Sequence, residues 1–413
     1  MPGHTDPDRF LLHGIAHRDA QRPMRHSRFV SAPRRMSRMD SITQGLLGAV
    51  TAQLGFRQRI GREATWLAAG SAMVADLDFL VRPMLSLAGV ATDEMATMSF
   101  HRGLSHSLFL APLIALVPAV AWWWFRRKSG KVCQQDGLGN SQTVQSAVDS
   151  VSPGRPVGFR LLYACLLTAM LSHPLLDWCT SYGTQLLLPF SSRRYAIDAV
   201  PIIDFVYTSL LILAMIPCYL VRKITPGRSK RWTLIVGWTG LAVSSGYILT
   251  GRAMHDLAIS RATQALGPVR ISRADAYPAM GSILLWRVVI RGETGWSVAK
   301  VHVLSGKKPT ITSVAQANGE WVSRARETQE ARLFDWFAMG RVRATHEQLD
   351  GLHVVEFHDM RYGRRTDSLE SLWGLRVEFD SSGKLLGAHR FHTYRGASLR
   401  RLAGQSWHDI WNP

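Results

Sequence analysis

The side chains best suited to chemistry are a few histidines and aspartates in four short motifs. They are Ala75-Asp76-Leu77-Asp78, His101-Arg102-Gly103-Leu104-Ser105-His106-Ser107, Ser172-His173-Pro174-Leu175-Leu176-Asp177, and the pair Asp198 and Asp204. His173 and Asp177 are i and i+4, so a helix places both on one face, able to reach one ion. Asp76 and Asp78 are i and i+2 and diverge in a regular helix; a frayed helix end presents both. His101 and His106 are about 140° apart on an ideal helix. Gly103 favours His101 in an entering loop and His106 in the first turn, with Ser105 as the N-cap. Imidazoles and carboxylates without a thiolate suit Zn, with Mn or Fe as alternatives. One ion, or two sharing a carboxylate, would lower the pKa of a bound water. The spare carboxylates Asp40 and Asp204 are the candidate general bases. Gln44 shares a helical face with Asp40 and either ligates or orients. Arg102 either holds an anionic substrate or pairs with Asp93 or Glu94. Arg193-Arg194 reads as a lipid-headgroup anchor, and Tyr182-Gly183-Thr184-Gln185 as a turn beside the site.

These groups sit at the ends of apolar runs. The chain has 413 residues, 46% hydrophobic and 19% charged, with a formal net charge of +19. That excludes a disordered basic tail protein. The runs Leu104–Phe125, Leu161–Leu176, Ala199–Val221 and Trp232–Thr250 approach the roughly 20 residues that cross a bilayer core. Ile42–Phe56 and Ala64–Val81 are weaker candidates, the first short enough to be re-entrant. Six alternating spans place Arg57, Arg59 and Arg62, the Arg126–Arg160 cluster and the Arg222–Arg231 cluster on one side. The positive-inside rule makes that side cytoplasmic. The acids and histidines then gather on the opposite face. Buried ionisable groups at a membrane are costly and need partners, and a metal cation satisfies several at once. Proline at 174 marks a break or kink.

Residues 1–38 read as a basic, disordered tail without a signal-peptide core. Its arginines conflict with an external start, which favours translation from Met36 or Met39, or a first span that does not cross. Residues 39–252 form the membrane domain, with 129–157 a flexible linker. From Ala253 to 413 no run is long enough to span. Leu284–Arg291, Ser297–Leu304, His353–His358, Leu372–Asp380 and Lys384–His392 read as strands and Glu327–Arg341 as an amphipathic helix. The fold class is therefore mainly α: a polytopic transmembrane bundle of about five to six spans with a soluble C-terminal α+β domain. His353, His358, His389 and His392 read as strand-surface scatter rather than a second metal cluster. Cys133, Cys165, Cys179 and Cys218 read as free thiols.

The motifs occur in a fixed order, from Met39-Asp40-Ser41-Ile42-Thr43-Gln44-Gly45 through Thr180-Ser181-Tyr182-Gly183-Thr184-Gln185. Over residues 39–250 the chain resembles the YdjM-like family of predicted membrane-bound metal-dependent hydrolases. The resemblance implies an integral membrane protein with a His/Asp metal centre, its roles falling on Asp76, Asp78, His101, His106, His173 and Asp177. Gln44 departs from the family, which often has His there.

The expected function is a membrane-bound hydrolase whose His/Asp centre activates water, with a phosphoester or lipid-linked substrate. The competing reading is a metal-ion transporter or a structural membrane anchor. Its ionisable groups would lie near mid-span rather than at span ends. The expected partner is the lipid bilayer, with no nucleic acid. The expected location is the bacterial inner membrane, multi-pass, with the C-terminal domain periplasmic.

Overall fold

A computed structural model describes residues 35–80, 100–129, 158–224, 229–393 and 407–411, with isolated positions besides. The N-terminal tail to residue 34, most of the 129–157 linker with Cys133, and Arg82, Asp93 and Glu94 lie outside the described residues.

The membrane part is built from α1 (Arg35–Ala52), α2 (Phe56–Ile60), α3 (Glu63–Met73), α4 (Ala111–Ser129), α5 (Phe159–Trp178), α6 (Phe205–Ile224) and α7 (Ser229–Leu266). Three helical segments among the described residues are long and apolar enough to cross a bilayer: Phe159–Trp178, Phe205–Ile224 and Lys230–Leu266. The expectation of five to six spans is not supported; three candidates are found among the described residues, by length and composition. The reason is where helices begin and end. The run at Leu104 starts with a 3-10 turn, Leu104–His106, and the helix begins only at Ala111 and ends in Arg126, Arg127 and Lys128. The apolar stretch left is shorter than a crossing needs. α3 has 11 residues before the chain tightens into a 3-10 helix, Val74–Leu80. Pro174 does not break α5, which continues to Trp178.

α1 lies against α3 with almost no space between them. Ala64, Ala68 and Ala72 repeat every four residues along α3 and are fully buried. A Cβ on Gly48 of α1 would come within 2.6 Å of the Ala68 carbonyl oxygen and 2.7 Å of the Ala72 Cβ. Small residues at such spacing allow close backbone approach in a membrane, where lipid supplies no hydrophobic drive between helices. Ser41, Gln44 and Gly48 share one face of α1, so this contact also sets the height of Ser41 and Gln44. The basic residues collect at the other end of the bundle. Arg222 Nη2 donates to Gln53 Oε1 at 2.5 Å, Arg57 Nη1 to Thr65 Oγ1 at 2.7 Å, and Arg126 pairs with Glu63.

α7 has 38 residues, about 57 Å at 1.5 Å per residue, against a core of about 30 Å. It is longer than one crossing needs, and residue 252 lies within it. Its far end packs Ala258 and Ala262 onto a four-stranded antiparallel sheet, β1 (Ile271–Pro278), β2 (Leu285–Gly292), β3 (Gly295–His302) and β4 (Thr310–Ala315). α8 (Glu320–Arg326) and α9 (Gln329–Phe337) lead to a second antiparallel sheet, β5 (Val342–Leu349), β6 (Leu352–Asp359), β7 (Trp373–Phe379) and β8 (Leu385–His392). Phe334 and Phe337 of α9 fill a core with Phe357, Leu375 and Val377. The expected strands and amphipathic helix are present, the helix shorter than read; β1, β4 and β5 were not anticipated.

Gly48→Ala is expected to lower stability in detergent by about 1–3 kcal/mol, the usual cost of overpacking. Gly70→Ala, whose Cβ meets nothing within 4 Å, should leave the thermal midpoint unchanged or raised.

Candidate metal centre

Three elements converge on one point. The 3-10 helix after α3 supplies Asp76, the 3-10 turn before α4 supplies His106, and the C-terminal turns of α5 supply His173 and Asp177. Asp76, His106 and His173 form, among the described residues, the one group of at least three His, Cys, Asp or Glu able to surround an ion. His106 Nε2 and His173 Nε2 face each other at 3.1 Å. Asp177 Oδ2 lies 3.2 Å from the first nitrogen and 3.5 Å from the second. Asp76 Oδ1 lies 3.4 Å from His173 Nε2 and 3.9 Å from His106 Nε2. A tetrahedral ion with bonds of 2.0–2.1 Å needs ligand-to-ligand edges of roughly 3.3–3.4 Å. The edges among Asp76, His106 and His173, 3.1–3.9 Å, bracket that length, while Asp177 Oδ2, which also meets Arg102 Nε at 3.1 Å, lies outside this group of three.

The hydrogen bonds on the outer side fix what the inner side presents. His173 Nδ1 donates to the Ala72 carbonyl at 2.6 Å, an oxygen that only accepts. A neutral His173 therefore turns a lone pair inward from Nε2. His106 Nδ1 lies 2.9 Å from Ser105 Oγ and 3.7 Å from Asp78 Oδ2. With its proton on that side, His106 also turns a lone pair inward. Ser41 Oγ donates to Asp76 Oδ2 at 2.6 Å, and Gln44 Nε2 to Asp177 Oδ1 at 2.9 Å. Such outer partners orient ligands around a metal. The negative end of the α5 dipole lies on the same side and favours a cation.

The six expected ligands divide. Asp76, His106, His173 and Asp177 are brought together. Asp78 and His101 stand one step out and pair with each other, Nδ1 to Oδ1, at 3.1 Å. Asp78 Oδ2 also accepts from the Arg102 backbone N–H at 3.1 Å and from Ser105 Oγ at 3.2 Å. The 3-10 winding separates Asp76 from Asp78, as i and i+2 positions diverge. Ser105 caps no helix; Ser107 Oγ takes the Phe109 and Leu110 N–H groups ahead of α4. Asp204 caps α6, accepting from the Val206 and Tyr207 N–H groups at 2.9 Å each and from the Tyr247 hydroxyl at 2.8 Å. Those three donors occupy the carboxylate expected as a base. Asp40 is in α1, with its side chain outside the described residues. Gln44 orients Asp177.

Arg102 is buried, at φ 58°, with Nε 3.1 Å from Asp177 Oδ2 and Nη1 donating to Thr180 Oγ1 at 2.8 Å. It thus balances part of the charge at the centre. Ser41, the Ala72 carbonyl and this arginine pairing were not read from the sequence. Ser41 carried a signal, since it lies three residues before Gln44 on the same face.

The C-terminal domain grips the loop after α5. Arg361 pairs with Asp359 at 2.7 Å and donates to the carbonyls of Ser181 (3.2 Å) and Tyr182 (2.9 Å). Arg194 is buried rather than facing lipid headgroups. It donates to Gly183 O at 2.8 Å and its guanidinium faces the Tyr182, Trp336 and Phe337 rings. Tyr182 also meets His101 edge-on at 5.4 Å, beside the site. His353 stacks on Trp321 at 3.8 Å, and His358 lies 3.1 Å from Ser371 Oγ; neither joins an ion-sized group among the described residues. Cys165, Cys179 and Cys218 are free thiols.

Asp198, in the connection between α5 and α6, is buried at φ 55° with Oδ1 lacking a hydrogen-bond partner. Burial, only partly offset by Arg341 and Arg361, pushes its carboxyl up to about 6. A carboxyl raised on folding stabilises the fold while protonated. Its contribution is complete below the unfolded value, 3.8, and is lost as the pH climbs to about 6. Asp198→Asn, which tolerates the left-handed backbone, should gain up to about 3 kcal/mol at pH 7.5 and nothing at pH 3.5. Thermal melts at the two pH values check this.

No curated protein and no solved structure matches the chain. The profile of one family matches residues 39–253, more than half of the sequence and all the elements that build the centre. By that match, the chain belongs to the YdjM inner membrane protein family.

Proposed function

We propose that the protein is an inner-membrane metal-dependent hydrolase acting on a lipid-linked ester or phosphoester, with Asp76, His106 and His173 holding a divalent ion, zinc foremost, its fourth position left for water, and with Asp177 beside it. The observation that carries this reading is the set of inward-facing acceptors. Two imidazole lone pairs and an Asp76 oxygen at 3.1–3.9 Å from one another repel unless a cation or added proton lies between them. The absence of a thiolate and the short edges suit zinc.

A bound ion supplies a lowered water pKa and polarises an ester or phosphoryl oxygen. The chain's own groups supply the rest. Asp78 holds His101 by Nδ1, so a neutral His101 presents Nε2 as an acceptor; its side chain is 32% exposed. That suits proton transfer at the mouth of the site. Arg102 and Gln44 keep Asp177 in place. Leu77, Phe100 and Leu104, beside the ligands in sequence, are each exposed by half or more. An apolar rim on a polar centre favours a substrate delivered from lipid. The ionisable groups lie at the end of α5 rather than at its middle, which favours an enzyme over a transporter. In the same reading the chain crosses the membrane several times, and the C-terminal domain lies on the periplasmic side.

Metal analysis of the purified full chain should find bound zinc that falls to background in Asp76→Ala, His106→Ala and His173→Ala. His101→Ala should retain the ion but lose hydrolysis of a short-chain phosphoester presented in mixed micelles. Asp78→Ala and Gln44→Ala should weaken metal affinity about 10–100-fold. Affinity should fall as the pH is lowered, because the imidazoles must be neutral to bind. Full metal retention in His173→Ala would remove the assignment.

A further inference from the structure

The last described stretch of chain, residues 407–411, is a helical turn that lies on the C-terminal domain by one residue. Ile410 is buried against Ala279 and Leu285. Its carbonyl lies 3.0 Å from His302 Nε2, and Asp409 lies 3.6 Å from Lys300 Nζ. On the flanks, Trp407 and Trp411 are 54% and 60% exposed, with ring centroids 5.7 Å apart. Two indoles left in water side by side are costly for a soluble surface.

The place where this turn docks is close to the membrane exit of two spans. Ala279 and Leu285 bound the β1–β2 loop. Within that loop the Gly281 N–H donates to the Ile203 carbonyl at 3.0 Å, and a Cβ on Gly281 would meet the Phe205 ring at 3.2 Å. Phe205 is the first residue of α6 and is 45% exposed. Ile283 of the same loop lies 3.3 Å from a Cβ built on Gly251 of α7. The β1–β2 loop, on which Ile410 docks, thus rests on α6 where it begins and on α7 midway, near where both helices leave the hydrocarbon when they cross a bilayer.

We propose that Trp407 and Trp411 form an interfacial anchor that seats the C-terminal domain on the headgroup layer of the bilayer the chain crosses. Indole rings favour that layer because their apolar faces meet the acyl boundary while the N–H groups reach polar headgroups. Arg395, Arg400 and Arg401 precede the pair in sequence, and such charge is attracted to anionic lipid. The tail thereby provides a second attachment, separate from α7, that holds the domain over the loop after α5. It does not depend on the hydrolase reading, since it requires only that α6 and α7 cross a membrane.

The test uses the full chain with Cys133→Ser in phosphatidylethanolamine/phosphatidylglycerol proteoliposomes; the three other cysteines are buried. An environment-sensitive fluorophore is placed at Asn412→Cys, and at exposed Lys308→Cys as the control. Lipids carrying a nitroxide on the headgroup should quench the Asn412 probe at least about threefold more than the Lys308 probe. Trp407→Gln with Trp411→Gln should bring the Asn412 probe down to the control level. Equal quenching at the two positions, or quenching that survives the double substitution, would overturn the anchor. Circular dichroism of each variant shows whether the fold is intact, and a variant losing helix is replaced by Trp407→Ser with Trp411→Ser.

Discussion

The structure centres on one close approach of imidazole and carboxylate groups. His106 and His173 aim their Nε2 atoms at each other across 3.1 Å, with carboxylate oxygens of Asp76 and Asp177 beside them. His173 is held in this orientation by the hydrogen bond from its Nδ1 to the Ala72 carbonyl. With both imidazoles neutral, a cation among these atoms would relieve their repulsion, and the donor set and edge lengths suit a small divalent metal. Each surrounding contact bears on that geometry. Ser41, Gln44 and Arg102 hold the outward oxygens of the two carboxylates or share their charge.

That constraint explains features of the bundle that hydrophobic packing alone does not. α1 must approach α3 closely enough for Ser41 to reach Asp76, and the alanine row with Gly48 permits it. The turn carrying His101 to His106 is tied to the loop after α5 by the Gln185 N–H to the Arg102 carbonyl and the Leu108 N–H to the Leu186 carbonyl. The C-terminal domain grips that loop from the other side through Arg361 and Arg194. Position in the helical part is thus set from two directions, by helix packing and by the C-terminal domain.

The sequence made part of this legible. His173 and Asp177 were readable as one face because four residues on a helix are neighbours whatever surrounds them. The separation of Asp76 from Asp78 depended on a 3-10 segment that no local pattern announced. The partner of Arg102 lies 75 residues away at Asp177, beyond any spacing rule. The spans were overcounted because hydropathy counts residues without knowing where the helix starts; at Leu104 a turn came first. β1, β4 and β5 are edge strands with few buried positions, although β8, an edge strand with none, was read. Arg194 read as a headgroup anchor because its burial by Trp336 and Phe337 comes from the other domain.

The most direct measurement is X-ray absorption at the zinc edge on the purified, zinc-loaded full chain. The predicted first shell is four nitrogen or oxygen neighbours at about 2.0–2.1 Å, with the outer-shell scattering of two imidazoles and no sulfur. A sulfur neighbour near about 2.3 Å, or a shell without imidazole scattering, would contradict the centre built from Asp76, His106 and His173.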